Sequence, residues 1–297
     1  MRVVVVGGGG REHALVWRLS LSASVTELHA APGSAAIARL ATCHEVAVDD
    51  VSGQLDLAQR LQAELVVIGP EAPLVAGLAD RLRAAGIATV GPGAAAAELE
   101  GSKAFAKEIM NAAGVPTAGH QTFTDAASAL AYLEQGEGPI VIKADGLAAG
   151  KGVTVAADRQ EAADAVAECF DGRFGQAGAR VVIEECLVGT ELSFIALCDE
   201  TGIVPLASSQ DHKRLAEGDQ GPNTGGMGAF SPSPLCDQAL TKKILAQVME
   251  PTLAELKRRD LVFRGFLYAG LMVDQGEIKV LEFNVRCGDP ETQVLMA

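Results

Sequence analysis

The residues with the clearest chemical potential lie on a predicted strand near the C-terminal end of the chain. Glu282, Asn284 and Arg286 are spaced two apart, so strand geometry places their side chains on one face. The other face would carry Leu281, Phe283 and Val285. Carboxylate and amide oxygens suit Mg²⁺, which also takes ligands from nucleotide phosphates, and a guanidinium suits a phosphoryl oxygen pair. The run predicts either a metal–phosphate site or, more simply, a half-buried strand with a polar face.

A lysine inside an apolar strand points to the same chemistry. Lys143 lies within Ile140–Ala144, where a buried ammonium group is costly unless it meets an anion. The glycines of segment 145–153 allow the backbone to approach a phosphate closely. This segment is not a Walker A loop, because Gly152 stands where that motif needs Ser or Thr. Since it joins two predicted strands, it is either a mobile cover over phosphates or a plain hairpin.

Three other segments carry groups that suit a nucleotide or an acceptor. Lys103 lies at a predicted helix start, where it could meet a phosphate. Glu184 and Glu185 end a predicted strand and Glu191 follows, so backbone groups could bond an adenine edge while a carboxylate holds ribose hydroxyls. The segment 209–229 is polar and glycine-rich, and long ordered loops are usually functional. Taken alone, each of these charged groups is better explained as a solvated surface residue.

At the N-terminal end, a strand, a glycine loop and a helix follow one another. The strand covers 3–6 and the loop is Gly7–Gly10, an order that aims backbone N–H groups at an anion. A dinucleotide fingerprint would need glycine at position 12 or 13, which hold Glu12 and His13, and the second strand, near 28–31, ends without a ribose-binding acid. We expect a Rossmann-like topology that does not bind NAD.

The alternation of strands and helices continues to about residue 100. The pattern predicts strands at 45–48, 65–69 and 88–91, a helix at 73–85, and later a helix at 237–259 and a hairpin of 266–274 with 277–286. Alternation of this kind indicates a doubly wound α/β domain. Its ligands collect at the carboxyl ends of the strands, where Gly7–Gly10 and Glu71 lie. We place a domain boundary just before Ser102.

Bulk composition limits the class of protein. The chain has 297 residues, is 48% hydrophobic and carries a net charge of −14, so it can form about two domains and lacks the basic surface of a general nucleic-acid binder. The sequence has no apolar run long enough for a membrane span and opens directly on a strand, so we expect no signal peptide, no membrane partner and a cytoplasmic location. The six cysteines lack paired spacing, which argues against a zinc or disulfide framework.

Together these segments resemble, in order and over essentially the whole chain, the glycinamide ribonucleotide synthetase family. That family comprises the phosphoribosylamine–glycine ligases of the ATP-grasp superfamily. A single glycine loop would be weak evidence, but seven motifs in one order are specific. They are 5–14, 69–71, 101–103, 143–152, 209–213, 222–228 and 282–293.

The resemblance implies an α/β fold in which a Rossmann-like parallel domain, residues 1–101, precedes an ATP-grasp domain (α+β), residues 102–297, with a mobile lid subdomain at about 122–190. It implies ATP-dependent ligation of glycine to 5-phosphoribosylamine through glycyl phosphate, with Mg²⁺ or Mn²⁺ as the metal. A purine-synthesis ligase of this kind binds no nucleic acid, and we expect a monomer.

The resemblance also assigns roles to residues. Lys103 and Lys143 would hold ATP phosphates under the 146–152 loop, and Glu282 and Asn284 would bind the metal. Arg286 would meet the transferring phosphate, which makes Arg286, Lys143 and Asp211 the predicted catalytic residues. The remaining nucleotide contacts would be Gly146, Gly150, Lys151, Gly152, Glu184, Glu185, Leu187 and Glu191. The substrate contacts would be Gly8, Gly9, Gly10, Glu71, Asp211, His212, Asn223, Thr224, Gly225, Gly226 and Arg286.

Two departures from the family pattern affect these expectations. The family continues with a further C-terminal domain, whereas this chain stops at Ala297. The strand before Glu282 carries its acid only at the end, as Asp274, which leaves the number of metal ions open. The alternative functions are another ATP-grasp carboxylate–amine ligase or carboxylase, and a truncated relative that binds nucleotide without catalysis. An NAD oxidoreductase, disfavoured by Glu12 and His13, is a third.

Overall fold

A computed structural model describes residues 1–135, 138–147, 152–218 and 220–297. The N-terminal unit is a five-stranded parallel sheet of order β3-β2-β1-β4-β5. Its strands are β1 Arg2–Gly7, β2 Glu27–Pro32, β3 Thr42–Cys43, β4 Leu65–Ile68 and β5 Ala88–Val90. Its helices are α1 Gly10–Ser20, α2 Val51–Arg60, α3 Glu71–Val75, α4 Leu78–Ala84 and α5 Ala94–Gly101, with a 3₁₀ turn at Ile37–Arg39. The predicted doubly wound topology is confirmed.

The valine run explains the central position of β1. Val3 and Val5 belong to one buried cluster and Val4 and Val6 to another, so the strand is covered on both faces as parallel strands generally are. Leucines and alanines of the flanking helices supply those covers, as in Leu78 of α4.

Two element predictions in this unit are wrong. Residues 45–48 form no strand; β3 lies earlier, because Val46 N–H turns back to the His44 carbonyl (2.8 Å) and takes the chain off the sheet edge. The predicted helix over 73–85 is divided into α3 and α4 at Gly77, whose φ of +83° is left-handed and cannot continue a helix.

A second unit is built on a four-stranded antiparallel sheet of order β6-β9-β7-β8. Ser102 caps the helix that leads into it, accepting from Phe105 N–H at 3.1 Å. Its elements are α6 Lys103–Ala113, β6 His120–Phe123, α7 Ala126–Leu133, β7 Ile140–Ala144, β8 Val153–Ala156, α8 Arg159–Phe170, a 3₁₀ helix Gly175–Ala179 and β9 Val181–Glu185. Helices α7 and α8 cover one face and give this sheet its own buried cluster.

The third unit is a four-stranded antiparallel sheet of order β11-β10-β16-β17. Its strands and the short ribbons beside it are β10 Thr190–Cys198, β11 Ile203–Pro205, β12 Gln210–Asp211, β13 Arg214–Ala216, β14 Gln220–Asn223, β15 Ala229–Phe230, β16 Gly265–Asp274 and β17 Glu277–Asn284. Its helices are α9 Gln238–Ile244, a π-helical turn Leu245–Met249, α10 Glu250–Arg258 and α11 Glu291–Met296. One buried cluster runs from the parallel sheet through α6 to this sheet. No described helix combines the length and apolarity needed to cross a membrane.

The strand that carries the predicted metal face contains a bulge. Gly270 pairs with Glu282, but its neighbour Leu271 pairs with Val280, so Leu281 is an extra residue in β17. Even-numbered residues therefore pack into the core before the bulge and odd-numbered ones after it. The prediction that Leu281 shares the core face is wrong, because the bulge turns it toward the cleft described below.

We expect Phe194→Ala in β10 to lower the free energy of unfolding by about 3–5 kcal/mol, because it removes a ring that is 1% exposed in the shared core. Urea unfolding at equilibrium measures this. Val204→Ala in β11, where the side chain is 62% exposed, is the matched control and should change stability by less than about 0.5 kcal/mol. Equal effects of the two substitutions would contradict the assignment of the core.

Candidate active site

A cleft of about 400 Å³ lies where the three units meet. The predicted residues that line it are Glu71, Lys103, Lys143, Gly146, Gly152, Glu184, Asp211, Thr224, Gly225, Glu282, Asn284 and Arg286. The predicted residues described elsewhere are Gly8, Gly9, Gly10, Glu185, Leu187, Glu191, His212 and Gly226. Gly150, Lys151 and the side chain of Asn223 lie outside the described part of the chain. The tertiary structure thus brings twelve of the predicted residues into one site, although they are spread along the chain from Glu71 to Arg286.

Lys143 meets an anion inside the protein, as its burial required. Its ammonium group lies 3.1 Å from Oε1 of Glu184 and donates to the Leu281 carbonyl at 3.1 Å. The other oxygen of Glu184 lies 2.9 Å from the ammonium group of Lys107. All three side chains are at least nine-tenths buried. Oε1 of Glu184 is closed to solvent, and within the described residues it accepts no hydrogen bond of good geometry beside its ion pair with Lys143.

The glycine loop after β7 is fastened to the start of α6. Asp145 accepts from the Ser102 hydroxyl at 3.0 Å and from Ala104 N–H at 3.0 Å, and it pairs with Arg180 at 2.6 Å. Lys103 donates to the Gly146 carbonyl at 2.9 Å. Burial lowers the pKa of Lys103 and outweighs the nearby carboxylates. An anion bound here would relieve that penalty, because it stabilises the charged form.

The predicted metal face projects into the cleft toward these lysines. Burial alone would raise the pKa of Glu282, but Lys213, Lys143, Lys103 and Arg286 outweigh it and hold the pKa below its usual range. Asn284 is buried, and its Oδ1 accepts from Arg286 at 3.0 Å. A carboxylate that stays ionised beside a fixed amide oxygen fits a hard divalent cation. Within the described residues, no group of three His, Cys, Asp or Glu could hold a metal unaided, so ligand phosphates would complete the shell.

Arg286, which follows β17, connects that strand to the N-terminal unit through ion pairs. It pairs with Glu100 at 2.8 Å and with Glu71 at 3.3 Å, and Glu100 also accepts from Val285 N–H at 2.8 Å. Burial lowers the pKa of Arg286, but Glu100 and Glu71 reverse this and raise it. Burial also raises the pKa of Glu100, and Arg286 offsets this only in part. Two acids thus hold the guanidinium in the cleft; Glu100 was not predicted because an acid near a helix end gives no signal.

The far end of the cleft carries an acidic network that the sequence analysis missed. Tyr268 donates to Glu291 at 2.8 Å, and the Ser193 hydroxyl lies 2.8 Å from Tyr268. Asp211 lines the same end, where burial raises its pKa to about 6, Lys213 opposes the shift and Glu291 adds to it. The arrangement can hold an ammonium group. Tyr268 and Glu291 gave no signal, because they are far apart in sequence and belong to no motif quoted for a ligand.

The N-terminal glycine loop faces the 289–293 segment, outside the lining of the cleft. A Cβ on Gly10 would lie 2.8 Å from Nε2 of Gln293, and one on Gly8 would lie 2.4 Å from the Gly33 carbonyl. Glycine is therefore required at position 8, where the neighbour is backbone, whereas a side chain at position 10 would displace only the flexible end of Gln293. Glu12, which ruled out the dinucleotide fingerprint, accepts from Gly9 N–H at 2.8 Å and pairs with Arg11.

Two remaining predicted contacts have protein partners. Glu191 pairs with Lys213 at 2.5 Å and is half-exposed, and the ring of His212 lies 5.8 Å from that of Phe230. Asp274 lies at the far end of β16, while Gly270 stands opposite Glu282. A second carboxylate is therefore not supplied from β16 at the metal face.

The parallel α/β unit and the two antiparallel sheets, with lysines from one facing metal-type oxygens on the other, define a protein of the ATP-grasp class. Family models match both parts: the N domain of phosphoribosylglycinamide synthetase over residues 1–100 and its ATP-grasp (A) domain over 101–292. The chain belongs to the phosphoribosylglycinamide synthetase family.

Named relatives agree with this family. The phosphoribosylamine–glycine ligase of Xanthomonas campestris pv. campestris is 54% identical over 300 residues, covering 100% of this chain and 70% of that protein. That of Rhizobium meliloti is 51% identical over 296 residues, with the same shares. The crystal structure of the Thermotoga maritima enzyme matches with a TM-score of 0.88 and 35% identity, over 99% of this chain and 71% of that one. The chain thus spans about 70% of these relatives.

We expect Glu184→Gln to lower the free energy of unfolding by about 3 kcal/mol near neutral pH, because it leaves buried ammonium groups unneutralised. Glu184 raises the pKa of Lys107, so its loss takes that pKa further below about 8. Lys107 of the folded variant then loses its proton at a lower pH, while in the unfolded chain it stays protonated up to about pH 10. Between these two pH values the unfolded chain binds more protons than the folded one, so the stability of the variant rises with pH.

Urea unfolding of wild type and variant at neutral and alkaline pH measures both effects. Glu185→Gln is the matched control, because the neighbouring Glu185 pairs only with the half-exposed Lys279 in the described contacts of its side chain. A Glu184→Gln loss that is the same at every pH would contradict the buried-charge explanation.

Proposed function

We propose that this chain catalyses the ATP-dependent ligation of glycine to 5-phosphoribosylamine, giving glycinamide ribonucleotide, ADP and phosphate. One observation carries the proposal: a single cleft joins the metal-type face of β17, the lysines of α6 and β7, and the acidic end around Asp211. The relatives that the chain matches throughout its length are named phosphoribosylamine–glycine ligases. The site therefore has one end for a nucleotide and one for a small amine.

The reaction needs no protein nucleophile. A carboxylate oxygen of glycine attacks the γ-phosphorus of ATP, and the bond to the β,γ-bridging oxygen breaks to leave ADP and glycyl phosphate. The amine nitrogen of phosphoribosylamine then attacks the glycyl carbonyl carbon, inorganic phosphate leaves with the bonding electrons, and the nitrogen loses a proton. The protein positions the reactants and stabilises charge.

The nucleotide end is assigned to the buried lysines and the glycine loop. Lys103 and Lys143 would bind phosphate oxygens, since both line the cleft beside Gly146 and Gly152. Opposite unit charges about 4 Å apart gain roughly 4 kcal/mol at an effective dielectric of 20, so two lysines matter to a polyphosphate. Gly150 and Lys151 would complete the cover.

The base and sugar of the nucleotide would lie along β9 and the turn after it. Glu184 would accept an adenine N–H, which requires its buried Oε1 to become accessible beside Lys143, while Glu185 and Leu187 would contribute mainly backbone groups. Glu191 would take the ribose, with its carboxylate already oriented by Lys213 at 2.5 Å.

Glu282 and Asn284 would hold the divalent cation, Mg²⁺ or Mn²⁺. When bound, the ion would neutralise phosphate charge and orient the transferring group. Arg286, fixed by Glu100 and Glu71, would donate to the phosphoryl oxygens or to the acyl phosphate. Its fixed position lowers the reorganisation needed as charge develops.

The acidic end would bind the amine-bearing substrates. Asp211, with Thr224 and Gly225 beside it in the cleft, would hold the ammonium group of glycine, and His212, Asn223 and Gly226 would shape the surrounding loop. Glu71 and the Gly8–Gly10 loop would meet phosphoribosylamine. We also propose that the chain acts as a monomer. Its proposed domains are 1–101 and 102–297 with a lid at about 122–190, and the separate core of the small sheet supports the lid.

The decisive assay measures ADP release with ATP, Mg²⁺, glycine and phosphoribosylamine generated in place. We expect release to require both glycine and the amine, and Glu282→Ala to abolish it without loss of fold. The substitution removes the carboxylate of the metal face, and the other acid of β17, Glu277, lies at the exposed start of the strand. Lys243→Met, at an ion pair on the protein surface, is the control.

ATP turnover that does not need glycine would favour a carboxylase or another ATP-grasp ligase. ATP binding without ADP release would favour a non-catalytic relative. Wild-type turnover by Glu282→Ala would overturn the metal assignment.

Glycine use should fall as pH drops through about 6, the pKa to which burial raises Asp211. Protonation removes the negative charge proposed to hold the substrate ammonium, so kcat/KM for glycine declines below that pH while an exposed aspartate would stay ionised to about 4. Asp211→Asn should be weak throughout and lack this acid limb. Profiles of kcat/KM at saturating ATP test it, and a limb retained by Asp211→Asn would assign the titration to another group.

A further inference from the structure

Lys107 is a buried cation in the cleft to which the proposed function gives no role. It lies on α6 one turn after Lys103 and is 2% exposed. Its ammonium group is 2.9 Å from Oε2 of Glu184 and donates to the Thr117 hydroxyl at 2.8 Å. Burying a lysine this deeply destabilises the fold unless its ammonium group is paired and hydrogen-bonded.

The contacts of Lys107 link the sheets that enclose the nucleotide end. Thr117 in turn donates to the Val280 carbonyl at 2.7 Å, next to the bulge of β17. Glu184 reaches across to Lys143, which itself donates to the Leu281 carbonyl. Lys107 and Lys143 therefore hold opposite oxygens of one carboxylate, between α6, β7, β9 and β17.

Lys107, Glu184 and Lys143 together carry one excess positive charge, because one carboxylate lies between two ammonium groups. If Glu184 had Lys143 as its sole partner, the two would form a closed, neutral pair, and binding a phosphate would require Lys143 to abandon a buried carboxylate. With Lys107 on the other oxygen, Glu184 is already neutralised. The second positive charge, that of Lys143, is then available to an incoming anion.

We propose that Lys107 is a positioning residue for the nucleotide site: it fixes and neutralises Glu184, and so frees the Lys143 ammonium group for the phosphates of ATP. This inference rests on the proposed function, because it assumes that the anion in the cleft is a nucleotide.

The proposal makes nucleotide affinity depend on the charge of Lys107. Glu184 and Lys143 face its ammonium group, and Glu185, paired with Lys279, lies further along β9. Burial lowers the pKa of Lys107 to about 8, with Glu184 raising it and Lys143 lowering it. Above that pH Lys107 becomes neutral and Glu184 retains Lys143, so affinity for ATP should fall.

The test is calorimetric titration of the folded protein with ATP and Mg²⁺ between pH 7 and 9.5, for wild type, Lys107→Arg and Lys107→Met. We expect the Kd of wild type to rise about tenfold across this range, the size of one weakened charge-assisted contact. Lys107→Arg, always charged, should lose about tenfold less affinity than wild type over this range, because Lys103, whose pKa burial also lowers, is common to both proteins. Lys107→Met should bind about tenfold more weakly than wild type at pH 7, and this difference should close by pH 9.5, where wild-type Lys107 is itself neutral. Lys243→Met, far from the cleft, should follow wild type.

The outcomes separate this inference from the proposed function. If wild type does not bind ATP, the proposed function fails. If wild type binds and Lys107→Met matches it at pH 7, or if Lys107→Arg keeps the full alkaline loss of wild type, the role of Lys107 is overturned. Should Lys107→Met not fold, the wild-type and Lys107→Arg profiles decide, because a merely structural lysine would give both the same pH dependence.

Discussion

Charge buried inside a protein has to be paired, and in this chain that requirement joins three structural units at one cleft. Lysines from α6 and β7 share the carboxylate of Glu184 from β9. On the opposite wall, Glu282 remains ionised because Lys213, Lys143 and Lys103 surround it. Each charge is stabilised by groups that are distant in sequence, so neither wall would be stable with its charges in place if the other were absent.

Arg286 extends the same principle to the N-terminal unit. Its guanidinium is held by Glu71 and Glu100, which lie at the start of α3 and near the end of α5. A residue that follows β17 is thus fixed by acids that precede the sheet of β6 to β9 in the chain. The N-terminal unit does more than support the cleft, because its helices carry Glu71 and Glu100, the carboxylates that orient the guanidinium of Arg286. A single apolar cluster contains residues of α3, α5 and β17 and keeps these distances short.

Much of the architecture could be predicted from local pattern. The parallel unit was predicted from the valine run of β1, the glycine loop after it and the later alternation of strands and helices. Lys143, within an apolar strand, predicted a buried anion. The failures share a physical cause. Residues 45–48 have strand-like composition but leave the sheet through a turn at His44, and Leu281 obeys strand periodicity until a bulge changes its face. A local hydrogen bond from Val46 N–H to the His44 carbonyl decides the first position, and pairing with β16 decides the second. The residue pattern of a single strand shows neither.

The sequence by itself determined the family, the order of the elements and the residues that suit phosphate and metal, because these depend on residue type and on spacing along the chain. Only the tertiary structure decided which of them meet. It gave Lys143 a protein carboxylate as its partner, added Lys107, Glu100 and Glu291 to the cleft, and turned the Gly8–Gly10 loop toward the 289–293 segment. The physical reason is that burial and charge pairing are set by neighbours in space, and the paired Arg286 and Glu71 lie 215 positions apart in the chain.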